Sequence, residues 1–179
     1  MTLQVAKILI VLALLSLAAL TIAAQDTVGA NSPNGIALSE FKGYESWAVI
    51  SPSLPKDGIK VIVGNPAMIA AYKNGVIADG RSVPDGAVMA KIAWSTRDNP
   101  LLPGAALVPG ALKKVQFMVK NAARFPDTDG WGYADFNYDV AAGTFQGVGN
   151  GPNFARTACH QCHTRVRARD FVFTEYARR

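Results

Sequence analysis

The chain has 179 residues, 50% of them hydrophobic and 17% charged, with a formal net charge of +5. That balance excludes a disordered polyelectrolyte tail, and the length suits one core, because a single core serves roughly 100 to 200 residues. The mild positive charge, with no interleaving of aromatic and basic residues, excludes a stacking groove for nucleic acid.

Met1 to Lys7 carries one lysine, Ile8 to Ala19 is an apolar run broken only by Ser16, and small residues follow at Thr21, Ala23 and Ala24. This reads as a secretory signal peptide over residues 1–24, cut after Ala23 or Ala24, with Val28 to Ala30 offering a later site. The competing reading is an uncleaved N-terminal anchor, since Ile8 to Ala24 reaches the lower edge of a membrane span. Both send the remainder to an extracytoplasmic compartment, the periplasm, where nucleic acid is not an expected partner.

Gln25 to Ser39 mixes Asn, Ser, Pro and Gly with few large apolar residues and reads as a flexible arm over residues 25–40, with the domain over 41–179 starting near Phe41. Trp47 to Ile50 and Ile59 to Val63 are short β-branched or aromatic runs, separated by a stretch dense in turn formers, and read as two strands. Pro66 to Lys73 has proline at a helix start, Asn65 as its cap and Asn74-Gly75 as its stop. After a turn at Pro84-Asp85-Gly86, Ala87 to Trp94 reads as a strand that sets Ala87, Met89, Lys91 and Ala93 on one face.

Asn99 to Gly110 reads as a loop, and Val115 to Lys120 as a strand alternating Val115, Phe117 and Val119 against Gln116, Met118 and Lys120. Trp131 to Phe136 repeats the pattern, and Ala141 to Pro152 is glycine-rich enough to be a loop. No internal repeat is visible. The expected class is α+β: one domain with a mainly antiparallel sheet, a few short helices and a helical segment near the C-terminus.

The 2 cysteines and 2 histidines of the chain all lie in Cys159-His160-Gln161-Cys162-His163. A disulfide between residues three apart would close too short a loop to stabilise much. A thioredoxin-like pair or half a zinc site also places two cysteines at this spacing, but a tetrahedral zinc site needs four ligands and would have to recruit carboxylates. Cys-x-x-Cys-His matches the attachment sequence for c-type haem, in which each thiol adds to a vinyl group and the histidine ligates iron. On a helical turn, residues three and four apart share a face, so both sulfurs can meet one porphyrin edge. Cys159 and Cys162 are therefore the candidate attachment residues for one covalent haem c, and His163 the candidate iron ligand.

His160, tied beside Cys159, cannot reach the opposite face of the same porphyrin, so its expected role is a polar residue on the attachment turn. The sixth position is left to methionine, to lysine or to no protein ligand. Met68, Met89 and Met118 fall in expected helix or strand, where methionine usually fills core, and an open or water-bound site is expected. Six arginines, Arg156, Arg165, Arg167, Arg169, Arg178 and Arg179, concentrate positive charge near this end. They read as a solvated helix end, or as a basic rim for haem propionates or an acidic redox partner.

Glu45-Ser46-Trp47, Pro84 to Lys91, Val119 to Phe125, Trp131, the Cys159 to His163 motif and Val172-Phe173-Thr174 together resemble the cytochrome P460 family and its relative cytochrome c′-beta. The resemblance spans roughly Phe41 to Tyr176 and implies an antiparallel β domain ahead of the haem motif, assembled as a homodimer. It implies that Lys91, matching a lysine that bonds covalently to the porphyrin, is both a cofactor-binding and a catalytic residue. A surface lysine is the other role for it, although a strand face shared with small and apolar residues favours burial, and a desolvated amine is more readily neutral and nucleophilic.

Members of the family that oxidise hydroxylamine carry a carboxylate in the distal pocket, and the corresponding position here is Gln116. An amide hydrogen-bonds a ligand but is no general acid or base near neutral pH. Asp127, Asp129 and Asp135 are the other carboxylates near that end of the sheet, with turn or surface roles as the default. Phe117, Phe136 and Phe154 are candidates for an aromatic distal wall like that of cytochrome c′-beta. The resemblance implies an oxidoreductase acting on hydroxylamine or nitric oxide and exchanging electrons with another cytochrome. The alternatives are a gas-binding haem protein and a simple electron-transfer cytochrome.

Overall fold

A computed structural model describes residues 29–177. The signal or anchor reading, and the terminal Arg178 and Arg179, lie outside these residues. Strands β1 (Ala48–Ser53), β2 (Ile59–Gly64), β3 (Val88–Asp98), β4 (Leu107–Lys120), β5 (Trp131–Asp139) and β6 (Thr144–Gly147) form a six-stranded antiparallel sheet in sequence order. Helix α1 (Pro66–Lys73) connects β2 to β3, and short helical turns flank the sheet, so the class is α+β. No helix among the described residues is long and apolar enough to cross a membrane.

Alternation along the strands sends side chains to two faces, and both are covered. One face carries Ile62, Met89, Met118, Trp131 and Tyr133 and packs against Met68 and Ile69 of α1, Val83, and Phe171 and Val172 of the C-terminal segment. The other carries Val63, Ala90, Ile92, Val115, Phe117 and Phe136 and packs against Ile36, Leu38, Phe41 and Tyr44. Asn65 fixes the entry to α1: its Oδ1 accepts from Met68 N at 2.9 Å and Val88 N at 3.1 Å, and its Nδ2 donates to Gly86 O at 2.8 Å. The cap thus ties the helix to the start of β3.

Three segments differ from the sequence reading. Ile36 and Leu38, in the stretch read as an arm, are 0% and 1% exposed, because a turn with Ser32 N donating to Ile36 O at 2.9 Å folds the chain back onto the sheet. The packed unit therefore begins ahead of Phe41. β4 begins at Leu107 rather than Val115 and includes Pro109. β5 pairs with β4 only from Lys114 onward, so Pro109, opposite Thr96 of β3, sits where β4 is paired along one edge alone, the kind of strand position that tolerates proline. β6 lies inside the glycine-rich stretch read as loop; Asp139 Oδ1 accepts from Ala141 N and Ala142 N at 2.9 and 3.1 Å, and Gly143 takes φ +67°, which closes the β5–β6 hairpin.

Candidate functional site

The sheet register builds the site. Ile62 pairs with Lys91, Lys91 with Gln116 and Gln116 with Asp135, so one row across β2 to β5 presents these side chains to the same face. The adjacent row on that face is Met89, Met118 and Tyr133. Directly opposite Cβ atoms lie about 4.5 to 5.5 Å apart, so side chains within a row touch. This face forms the floor of a cavity of about 520 Å³, walled by Cys159 and His163 on one side and by Phe173, Thr174 and Glu175 of the C-terminal segment, with Ser51, Ser53 and Pro55 at its margin.

The cysteine motif sits on an unusual local helix. Ala155–His160 forms a wide π turn that passes into an α turn at Gln161–His163 and a 3-10 stretch at Thr164–Arg169. Insertions of this kind recur at functional sites, since they re-aim side chains without ending the helix. Cys159 is half-buried at the cavity wall and Cys162 is exposed, and the two form no disulfide. Burial pushes the Cys159 thiol up, and the nearby Asp135 carboxylate adds to it. His163 is pushed down by burial, which favours the neutral imidazole that a metal ligand requires. Its Nδ1 lies 2.7 Å from Phe171 O, a bond in which Nδ1–H donates, leaving Nε2 as the nitrogen with a free lone pair.

Opposite these residues the row on the sheet is polar and coupled. Gln116 Nε2 donates to Asp135 Oδ2 at 2.8 Å, and Lys114 Nζ donates to the same carboxylate at 3.0 and 3.2 Å. Lys91 is half-buried, and burial holds its amine below the ordinary lysine range; the like charges of Lys60 and Lys114 push the same way, while Asp135 opposes them. The cavity therefore offers a carboxylate, an amide that fixes it, an amine that loses its proton more readily than an ordinary lysine and two thioethers, Met89 and Met118.

Lys91, Gln116, Cys159 and His163, separated by up to 72 positions between Lys91 and His163, converge on this cavity, whereas Cys162 is not part of its lining. Of the three aspartates weighed from the sequence, only Asp135 lines it. Of the three phenylalanines, only Phe117 does so, and its ring stacks on Phe41 at 4.0 Å across the other face of the sheet. Phe136 is fully buried in that second core and Phe154 packs beside Gly149, so the aromatic wall consists instead of Tyr133 and Phe173. The signal for Asp135 and Tyr133 was in the alternation Trp131, Tyr133, Asp135, which puts all three on one face.

His160 is a polar residue on the attachment turn, as expected, and it is buried there. It is 7% exposed, with Nδ1 at 3.2 Å from Tyr133 Oη and Nε2 at 3.1 Å from Asp129 Oδ2. Both ring nitrogens are thereby engaged within the protein. Burial pushes the Tyr133 hydroxyl well above its ordinary range, so it remains a protonated donor.

The residues fit a haem group. The cavity volume lies within the roughly 300–1,000 Å³ of sites that take a large organic ligand. One wall carries a thiol and a histidine with its second nitrogen already bonded, while the floor is largely apolar with a few convergent polar groups. Among the described residues no three His, Cys, Asp or Glu converge as a bare metal site, so the two thiols lack the partners that zinc would need.

Comparison with known protein families gives a match to the family described as Cytochrome P460 over residues 41–174, most of the chain. No curated protein matches the chain.

Proposed function

The chain belongs to the cytochrome P460 family, a family of haem cytochromes, and on that premise we propose that it is an exported mono-haem c-type cytochrome that oxidises hydroxylamine or converts nitric oxide at an open iron site. Cys159 and Cys162 would hold the haem by adding their thiols across its vinyl groups, His163 would offer Nε2 to the iron, and Lys91 would bond to a porphyrin carbon, each partner losing one hydrogen to a two-electron oxidant such as a peroxide. When bound, the haem supplies a centre that takes the nitrogenous ligand and accepts its electrons.

The observation that carries this reading is the row Lys91, Gln116 and Asp135 on the cavity floor. Gln116 leaves the family's distal position without a proton acceptor, and Asp135, one strand over, supplies the carboxylate. The Asp135 carboxylate accepts a proton from the substrate as electrons leave it, and general-base catalysis of this kind contributes about 10²–10⁴-fold. Gln116 orients it through the 2.8 Å bond, and Lys114 Nζ donates to the same carboxylate at 3.0 Å. Tyr133 and Phe173 limit water at the reacting end.

The test is hydroxylamine-dependent reduction of an electron acceptor by purified holoprotein. Asp135→Asn is expected to lower kcat by about 10²-fold or more while leaving nitric oxide binding intact. Turnover unchanged in that variant removes Asp135 from the reaction. A wild-type protein that binds nitric oxide and never turns over hydroxylamine is instead a gas-binding protein of the cytochrome c′-beta kind. A second reading, simple electron transfer, is favoured by Met89 and Met118 at the cavity, either of which would give a low-spin iron that resists carbon monoxide.

The proposal extends to setting. The protein works in the periplasm as a homodimer and passes electrons to an acidic partner cytochrome, attracted by exposed Arg156, Arg165 and Arg167 beside the attachment turn.

A further inference from the structure

Lys120 ends β4 and Asp170 follows the haem-attachment helix, yet they form the most deeply buried ion pair among the described residues, with side chains 5% and 9% exposed. Lys120 Nζ donates to both carboxylate oxygens of Asp170 at 2.9 and 3.0 Å and to Asp129 O at 3.1 Å, and it lies 4.9 Å from the centre of the Trp131 ring. Asp170 also accepts from Val83 N at 2.7 Å. A buried pair of this kind returns little net stability, because desolvation offsets the attraction, so what it holds in place matters more than what it contributes.

It holds a reversal of the backbone. Asp170 has φ +47° and Phe171 φ +64°, two successive non-glycine residues in the left-handed region. Each is unfavourable for an L-residue with no compensating contact. The 3-10 stretch leading into the reversal is pressed against Gly80, where an added Cβ would lie 2.6 Å from Ala168 O. The reversal returns the Phe171 carbonyl to 2.7 Å from Nδ1 of His163.

We propose that the Lys120–Asp170 pair is a positioning device for the proximal histidine: by clamping the Asp170–Phe171 reversal it fixes the carbonyl that accepts from His163 Nδ1–H. Neither residue touches the cavity. The pair acts through the carbonyl, which locks the imidazole tautomer and its ring plane and makes Nε2 the more basic donor to iron. A stronger donor stabilises ferric over ferrous iron, so the clamp keeps the reduction potential low. The inference rests on the haem reading given above.

The test compares wild-type holoprotein with Asp170→Asn, which keeps the volume and the bond from Val83 N, and with Lys120→Met, which removes the cation. Both are expected to raise the midpoint reduction potential and to shift the ferrous iron–histidine stretch to lower frequency, Lys120→Met more than Asp170→Asn. Arg124→Ala, which breaks the Glu40 ion pair away from the cavity, is expected to move neither. Variants that lose thermal stability yet keep the wild-type potential and stretch overturn the clamp. Native protein supplies an arm that needs no variant: in the ferrous carbonyl form, the His163 Nδ1 proton and the Val83 amide are expected to show the same protection from solvent exchange, each rate taken relative to that of the freely exposed group, because one opening releases both. An Nδ1 proton less protected than the Val83 amide overturns the coupling. Wild-type protein without covalent haem overturns the reading beneath it, and that outcome is distinct from normal haem with an unmoved potential.

Discussion

Lys91 is the residue whose chemistry depends most on its surroundings. Its amine is held below the ordinary value of 10.5, first by burial and then by Lys60 and Lys114, while Asp135 pulls it back up. A lowered lysine value means that the proton leaves at lower pH, so more of the nucleophilic neutral amine is present at any pH below 10.5. Bond formation between Lys91 and haem, driven by an added two-electron oxidant such as a peroxide and followed by optical spectra on freshly loaded protein, is expected to rise with pH with a midpoint below 10.5. In Asp135→Asn the midpoint is expected to move lower still, because the larger of the two charges that favour the protonated form, Asp135 and then Cys159, is gone. A midpoint at the ordinary lysine value, or one that moves upward in the variant, contradicts this account of the environment. Lys91→Ala is expected to change both the Soret band and the adduct mass pattern. The face of Lys91 was legible in the alternation of its strand, and so was the attachment motif. The network of His160 with Tyr133 and Asp129 was not, because it joins residues 27 and 31 positions apart through side chains whose directions only the packed chain defines.

Among the elements, α1 was the most legible, since its signals are local: a capping asparagine, a first-turn proline and an Asn-Gly stop. The structure adds that Asn65 serves β3 as well as the helix. Asn65→Ala is expected to cost at least the roughly 1 kcal/mol of a lost cap, read as a lower Tm, and Asn65→Asp less, because the two bonds accepted by Oδ1 persist and only the Gly86 contact is lost. An Asn65→Ala protein as stable as wild type contradicts the dual role. β6 and the free-edged part of β4 were less legible because glycine and proline mark loops in isolation and are tolerated in strands only where neighbours permit. Gly147 illustrates this: a Cβ there would lie 2.0 Å from Asn31 O, so β6 accommodates the N-terminal segment only with glycine. Gly147→Ala is expected to destabilise the protein by roughly 1–3 kcal/mol, as overpacking does, with the Tm falling accordingly. No change in Tm would mean that residues 31–38 do not press on β6.

For the molecule as a whole, the sheet is covered on both faces, and the two coverings do different work. Residues Ile36 to Tyr44 seal one face as an ordinary apolar core. The other face is shared between α1, which packs it closed, and the C-terminal segment, which leaves a cavity between itself and the row of Lys91, Gln116 and Asp135. That segment is anchored beyond the site as well: Tyr72 Oη donates to Thr174 O at 3.0 Å and Ala177 N to Ile50 O at 3.0 Å. The same polypeptide stretch thus carries the two cysteines, the histidine, the carbonyl bonded to its Nδ1 and the cavity wall at Phe173, Thr174 and Glu175. The account makes haem the bridge between this stretch and β3. Peptide mapping of purified native protein under denaturing conditions tests that directly. The predicted result is one haem joining the peptide with Cys159 and Cys162 to the peptide with Lys91. Haem that dissociates from both contradicts the covalent account, and haem held by the cysteine peptide alone contradicts the role of Lys91.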